Sequence, residues 1–232
     1  LQLRVRFTTA KVHFALSRPL KLASGESVSV LRTGETLAAV ERAFDPQEIA
    51  GRKIDATAVA DYYRQCDRGY RVFHSAEGAL HLALNYDGEF QFDGYGGQAA
   101  IVAEQLTAAR AQKILEAGCG NGFNCIQLAR ANPTWQVIGV DLTEAHIAAA
   151  KSAAAELPNV HFQVGNYERL PHDVGTFDAV FAVESLCQTD DLPQALAELQ
   201  RVLRTGGSLV VIDCFRNQPL DQFDDDLQLA AQ

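Results

Sequence analysis

Short apolar runs alternate with helix-length stretches of mixed polarity through the second half of the chain. Lys113–Ala117, Gln136–Asp141, Val160–Val164, Ala179–Val183 and Ser208–Asp213 are of strand length and rich in Val, Ile, Leu, Ala and Phe. Between them the pattern predicts helices from Gly122 to Ala131, from Thr143 to Glu156 and from Leu192 to Leu203. Asn132-Pro133, Pro158 and Gly206-Gly207 supply the stops. Strands separated by helices imply an α/β fold: a parallel, Rossmann-like sheet with right-handed crossovers, helices on both faces and a ligand edge at the strand C-termini.

The first half is patterned differently. Leu3–Phe7 and Val12–Leu16 alternate weakly and read as strands, and Glu35 to Phe44 reads as a short amphipathic helix. Residues 1-56 are taken as an N-terminal extension, packed on the core or on a second copy of the chain, which would give a homo-oligomer. Residues 57-110 form a helical cap with a turn-rich, aromatic segment at Asn85–Gly88 and Phe92–Gly97, read as a lid that excludes water. Residues 111-232 form the sheet domain.

The candidate chemistry begins where the first of the five strands ends. Ile114-Leu115-Glu116-Ala117-Gly118-Cys119-Gly120-Asn121-Gly122 runs from an apolar strand through alternate glycines into a helix. Such spacing suits a backbone that takes positive φ or lies close to a ligand. The dinucleotide fingerprint G-x-G-x-x-G is not matched, because the third glycine comes one residue early. Glu116 would repel a pyrophosphate and suits instead a ligand bearing an ammonium or sulfonium cation. Asp141, at the end of Val137–Val140, lies where an acid can accept ribose hydroxyls. Cys119 is read as a small residue tolerating close approach rather than as a nucleophile.

The ordered motifs E-A-G-C-G-N-G, V-I-G-V-D, F-D-A-V-F-A-V-E-S-L and L-R-T-G-G-S-L-V-V-I-D resemble those of class I S-adenosylmethionine-dependent methyltransferases, from about Tyr62 to Phe215. Within that class the chain is similar to the sterol, cyclopropane-lipid and terpenoid C-methyltransferases. The resemblance implies S-adenosyl-L-methionine as cofactor, held by Glu116, Gly118, Cys119, Gly120, Asn121, Gly122, Asp141, Leu142, Asn166, Tyr167 and Val183. It also implies that Tyr62, Tyr63 and Gln98 close over it. Tyr63 and Glu184 are assigned to the chemistry. Glu184-Ser185 matches the family's E-S-x-x-H, but Gln188 stands at the histidine position and cannot accept a proton near neutral pH. Methyl transfer to carbon of a terpenoid, sterol-like or polyketide-like molecule is therefore expected. The alternatives are O- or N-methylation of a small natural product, or an inactive cofactor-binding partner subunit. The resemblance implies a further antiparallel strand pair after the fifth strand, which residues 215–232 are expected to be too short to supply.

Composition narrows the partners. A net charge of -9 over 232 residues speaks against non-specific nucleic-acid binding. No apolar run has the length of a membrane span. The five cysteines show neither paired nor zinc-ligand spacing, which fits reduced thiols in a cytoplasmic protein. Of the histidines, His146, His161 and His172 have no ligand-spaced partner, so no metal is assigned. His74 and His81 precede the glycine turn and are weighed as substrate contacts against surface positions.

Overall fold

The computed structural model describes residues 11–14, 55–85 and 90–214. The expected strand at Leu3–Phe7, the helix at Glu35–Phe44, most of the Asn85–Gly88 turn and the acidic tail lie outside the described residues. The first element is β1 (Lys11–Phe14). It is followed by α1 (Ala56–Gly69), a wider turn at Tyr70–His74, a 3-10 turn at Phe92–Tyr95 and α2 (Gly96–Ala108). The remaining elements alternate: β2 (Lys113–Ala117), α3 (Phe123–Ala131), β3 (Gln136–Asp141), α4 (Glu144–Ala153), β4 (Val160–Val164), β5 (Phe177–Val183), α5 (Leu192–Val202) and β6 (Leu203–Ile212).

The strands form one parallel sheet in the order β1-β6-β5-β2-β3-β4. Sequence order reverses between β2 and its neighbours β3 and β5, so the crevice at the C-terminal ends of these strands is the expected place for a ligand. β1, from the segment expected to be an extension, completes the edge by pairing with β6 from Lys11↔Ser208 to Phe14↔Val211.

Strand alternation explains the layers. Ile114, Val137, Phe181 and Val210 face one side, where they join Val102 and Leu106 of α2, Leu128 of α3 and Ile147 of α4 in one buried cluster. Leu115, Val140, Val180 and Leu209 face the other side and meet Ala195, Leu199 and Val202 of α5. Helices thus cover both faces, as the alternating pattern requires.

One stop signal acts differently from its expected role. Gly206-Gly207 does not end α5, which stops at Val202; the pair lies inside β6. The register between β5 and β6 shifts at Phe177/Ala179. A Cβ on Gly207 would lie 2.9 Å from the carbonyl oxygens of Arg204 and Asp178, so glycine is required by backbone crowding at that irregularity.

Candidate functional site

Just past Ala117 the chain turns through Gly118–Gly122 into α3. The amides of Gly118 and Cys119 both donate to the Val140 carbonyl, at 2.8 and 3.0 Å, tying the turn to β3. The three glycines take positive φ, but the space of their missing side chains is filled by protein. A Cβ on Gly118 would meet Ser185 at 2.5 Å, on Gly120 the Leu80 side chain at 2.7 Å, and on Gly122 the Phe162 ring at 2.6 Å. The glycine spacing therefore records a left-handed turn under close packing from three directions. Gly122, expected to touch a ligand, packs on Phe162 and Ala150 and does not line the pocket.

The pocket lies over this turn. Its lining brings together Glu116, Gly118, Cys119 and Gly120, then Asp141 and Leu142, then Asn166 and Tyr167, then Val183 and Glu184, with Tyr63 from α1 above them. Four strand ends separated by more than sixty residues of sequence thus meet in one crevice, in the order the motifs suggest.

Glu116 is almost completely buried. Its carboxylate accepts the Asn124 amide at 3.1 Å and the Cys125 thiol at 2.9 Å, and among the described residues no cationic side chain pairs with it. Burial pushes its pKa up to about 7, against the pull of those hydrogen bonds. A cation in the pocket would supply the missing counter-charge, and the site fits a ligand carrying one. Asp141 is held differently. One oxygen accepts from the Thr143 amide at 2.9 Å and faces His146 Nδ1 at 3.3 Å; the other accepts from the Gly120 amide at 2.8 Å. Burial acts to raise its pKa, but His146 and the two amides hold it below the ordinary carboxylate value. His146, expected to lack an acidic partner, is the side chain that steadies this acid.

Glu184 follows β5 with φ at +46°, a left-handed conformation that is strained for a residue with a Cβ. Its carboxylate accepts Gln98 Nε2 at 2.6 Å and the Leu82 amide at 3.1 Å. Gln98 also donates to the Leu82 carbonyl at 2.9 Å. Gln98, expected to close over the cofactor, is buried behind Glu184 and locks that acid to the segment before the 3-10 turn. Tyr62, also expected to close over the cofactor, is not part of the pocket lining. It is half exposed, with its hydroxyl 3.3 Å from that of Tyr70, because successive helix residues face different directions and Tyr63 takes the pocket side. Asn121, expected on the cofactor, is buried against Gly78 and is not part of the pocket lining.

Tyr63 lines the pocket, but burial, with Cys187 and its acidic neighbours, pushes its pKa up to about 12. It keeps its proton at neutral pH, so it is poorly suited to act as a base. Burial likewise raises the Cys119 and Cys125 thiols well above their ordinary value, so neither is a nucleophile. The Asn166 side-chain oxygen accepts the Glu168 amide at 2.7 Å. Tyr167 donates to the Ser185 carbonyl at 2.9 Å and presents its ring.

Of the remaining lining residues, the sequence pattern leaves His81 between a substrate contact and a surface position, marks Ser185 only within its motif, and does not single out Glu168 or Asp190. His81, from the segment after α1, is buried in the pocket wall, with Nε2 3.2 Å from Asn124 Oδ1. Ser185 donates to the Ala117 carbonyl at 2.7 Å and packs over Gly118. Glu168 and Asp190 form the rim. The only signal for His81 was its presence in a polar-aromatic stretch before the glycine turn.

A parallel α/β sheet whose C-terminal edge joins a glycine turn, a buried acid beneath it and a second acid at the end of the next strand defines the class I S-adenosylmethionine-dependent methyltransferase fold. Residues 114–207 match the family described as "Methyltransferase domain". Among curated proteins, the chain is 34% identical over 117 residues to O-methyltransferase rstn1 of Aspergillus nomiae, covering 49% of this chain and 52% of that protein. It is 35% identical over 121 residues to O-methyltransferase cnsE of Penicillium expansum, covering 51% and 44%. The chain spans about half the length of these curated relatives. Among solved structures, that of the [4+2]-cyclase SpnF superposes with a TM-score of 0.61 at 26% identity, over 67% of this chain and 59% of that one. Residues 114–207 are a methyltransferase domain, and S-adenosylmethionine is the cofactor its site fits. No described helix is long and apolar enough to cross a membrane.

Proposed function

We propose that this chain transfers a methyl group from S-adenosylmethionine to a neutral or cationic small molecule. The observation that carries the reading is the charge of the pocket. Among the described residues its lining holds Glu116, Asp141, Glu168, Glu184 and Asp190 and no lysine or arginine. A polyanionic acceptor would meet only like charge there, at a cost of several kcal/mol. A sulfonium and its ammonium arm meet opposite charge.

The cofactor, when bound, supplies an electrophilic methyl on a good leaving group. The chain's own residues have three tasks: to orient, to exclude water and to take up a proton. Glu116 and Asp141 fix the two ends of the ligand, while Leu142, Tyr167 and Val183 give it apolar walls. Glu184 stands next along the same crevice with its orientation fixed by Gln98 and the Leu82 amide. Methylation of an alkene carbon leaves positive charge on the acceptor and then a proton to remove, and Glu184 is suited to both. This supports carbon of a terpenoid, sterol-like or polyketide-like acceptor. Oxygen or nitrogen is the second reading, favoured by the two relatives named O-methyltransferases and by His81 in the wall beside Glu184.

The test is incubation with methyl-labelled cofactor and a panel of neutral alkenes, phenols and amines, locating the label by NMR. Glu184→Gln is expected to slow transfer about 100-fold while leaving S-adenosylhomocysteine affinity nearly unchanged. Undiminished turnover in that variant would remove Glu184 from the chemistry, and label on oxygen would select the second reading. Binding without transfer to any acceptor would favour the non-catalytic alternative, since a fold alone does not fix a reaction.

A further inference from the structure

We propose that Glu116 and His81 hold a single proton between them across the Asn124 amide, and that filling the pocket with a cationic ligand moves that proton onto His81. The inference rests on the cofactor reading above.

The geometry leaves two self-consistent arrangements. His81 Nδ1 lies 3.1 Å from the Leu82 carbonyl, and Nε2 lies 3.2 Å from Asn124 Oδ1. Asn124 Nδ2 lies 3.1 Å from Glu116 Oε1. With the amide oriented this way both ring nitrogens face acceptors, so both must carry protons: His81 is an imidazolium and Glu116 a carboxylate. With the amide turned over, its oxygen faces Glu116 and its nitrogen faces His81. Then Glu116 must be the protonated acid, donating to Asn124 Oδ1, and His81 must be neutral, with Nδ1–H on Leu82 and Nε2 accepting from the amide. The proton count is the same in both. Passing from the second to the first breaks the Glu116 O–H bond, forms a His81 Nε2–H bond and rotates the amide, with nothing exchanged with solvent.

The surroundings set the balance. Burial lowers the His81 pKa and raises that of Glu116, so without ligand the neutral arrangement is favoured. Asp141 adds to this by repelling charge on Glu116, and Cys119 and Cys125 keep their protons. On the other side Glu184 favours charge on His81, while the His74 ring opposes it. Tyr95, whose ring edge faces His81, stays a neutral phenol. A cation beside Glu116 stabilises the carboxylate and tips the pair. Occupancy of the cofactor site is thereby transmitted to the acceptor wall as a positive charge on His81 next to Glu184, and the acceptor site is completed only after the cofactor has bound.

The test uses the whole chain with nitrogen-labelled histidine and S-adenosylhomocysteine, which keeps the ammonium. Both measurements are made at pH 6, below the Glu116 value of about 7, so that the ligand-free acid holds its proton; ring nitrogen shifts are then expected to take His81 from a neutral Nδ1–H tautomer to an imidazolium on binding. His81 is identified by its proximity to the Phe123 ring and by loss of its signals in His81→Gln. Calorimetry in buffers of different ionisation enthalpy should give matching heats for the wild type, meaning no net proton release. In His81→Gln release should appear, because Glu116 then has nowhere to send its proton. A neutral His81 in the saturated complex, or proton release by the wild type, would overturn the proposal while leaving the cofactor reading intact. Absence of any binding heat would overturn both.

Discussion

Asp141 divides its two oxygens among the Thr143 amide, His146 and the Gly120 amide. A carboxylate has about four acceptor directions, so those contacts leave it about one for a ligand hydroxyl, fewer than the two-hydroxyl grip that its strand-end position suggested. Its removal therefore has two effects. Asp141→Ala is expected to weaken S-adenosylhomocysteine binding by about 2 kcal/mol, roughly thirtyfold in Kd by titration calorimetry, and also to loosen the glycine turn through Gly120. Asp141→Asn, which keeps one acceptor oxygen, should restore thermal stability more than affinity; equal recovery of both would mean that the acid serves the turn alone. The position of Asp141 was legible because an acid after an apolar strand has few structural excuses. The His81–Asn124–Glu116 chain was not, because His81 and Asn124 lie 43 positions apart and only the packing of the α1–α2 connection on α3 brings them together.

At the level of elements, apolar runs located β2, β3 and β4 to the residue, because each is a short run of branched and aromatic residues bounded by turn signals. What escaped was the junction between α5 and β6, where the glycine pair serves a strand irregularity that no local pattern announces. The same helix contains a polar residue on its buried side. Glu198 shares the inward face with Ala195, Leu199 and Val202, accepts the Leu170 amide at 2.7 Å and is forked by Arg201 at 2.7 Å through both Nε and Nη2. Arg201 holds the Glu198 pKa down by hydrogen bonding, against burial, and also donates to the carbonyls of Leu170 and His172. The pair clamps α5 to the β4–β5 connection. Arg201→Met leaves a nearly buried carboxylate with one partner, and an expected loss of about 2 kcal/mol follows after allowing for the partial exposure of Arg201. Urea unfolding should show a lower midpoint at unchanged slope. Replacing Glu198 and Arg201 together by apolar residues should recover most of the loss, whereas an additive double variant would mean the two do not act as a pair.

Across the whole molecule, four carboxylates among the described residues divide into two groups with opposite pH signatures. Asp141, Asp178 and Glu198 have depressed pKa values, so their contribution to stability is present above the ordinary carboxylate range and is lost as pH falls through their folded values. Glu116 is the reverse. Its folded pKa of about 7 lies above the ordinary 4.5, so between those values the unfolded chain ionises while the folded one holds its proton. Stability from this group is complete below pH 4.5 and declines as pH rises to 7, by on the order of 3 kcal/mol. The buried histidine His81, and His172 with it, are lowered by burial and work the other way below their ordinary value. The difference between wild type and Glu116→Gln isolates the acid: wild type should lose ground to the variant steadily from pH 4.5 to 7 in denaturant unfolding, with the acid limb common to both. Saturating S-adenosylhomocysteine should abolish that decline, because a cation in the pocket gives ionised Glu116 the partner it lacks. A difference curve that stays flat would mean Glu116 is already compensated within the fold, and the case for a cationic ligand would then lose its electrostatic basis.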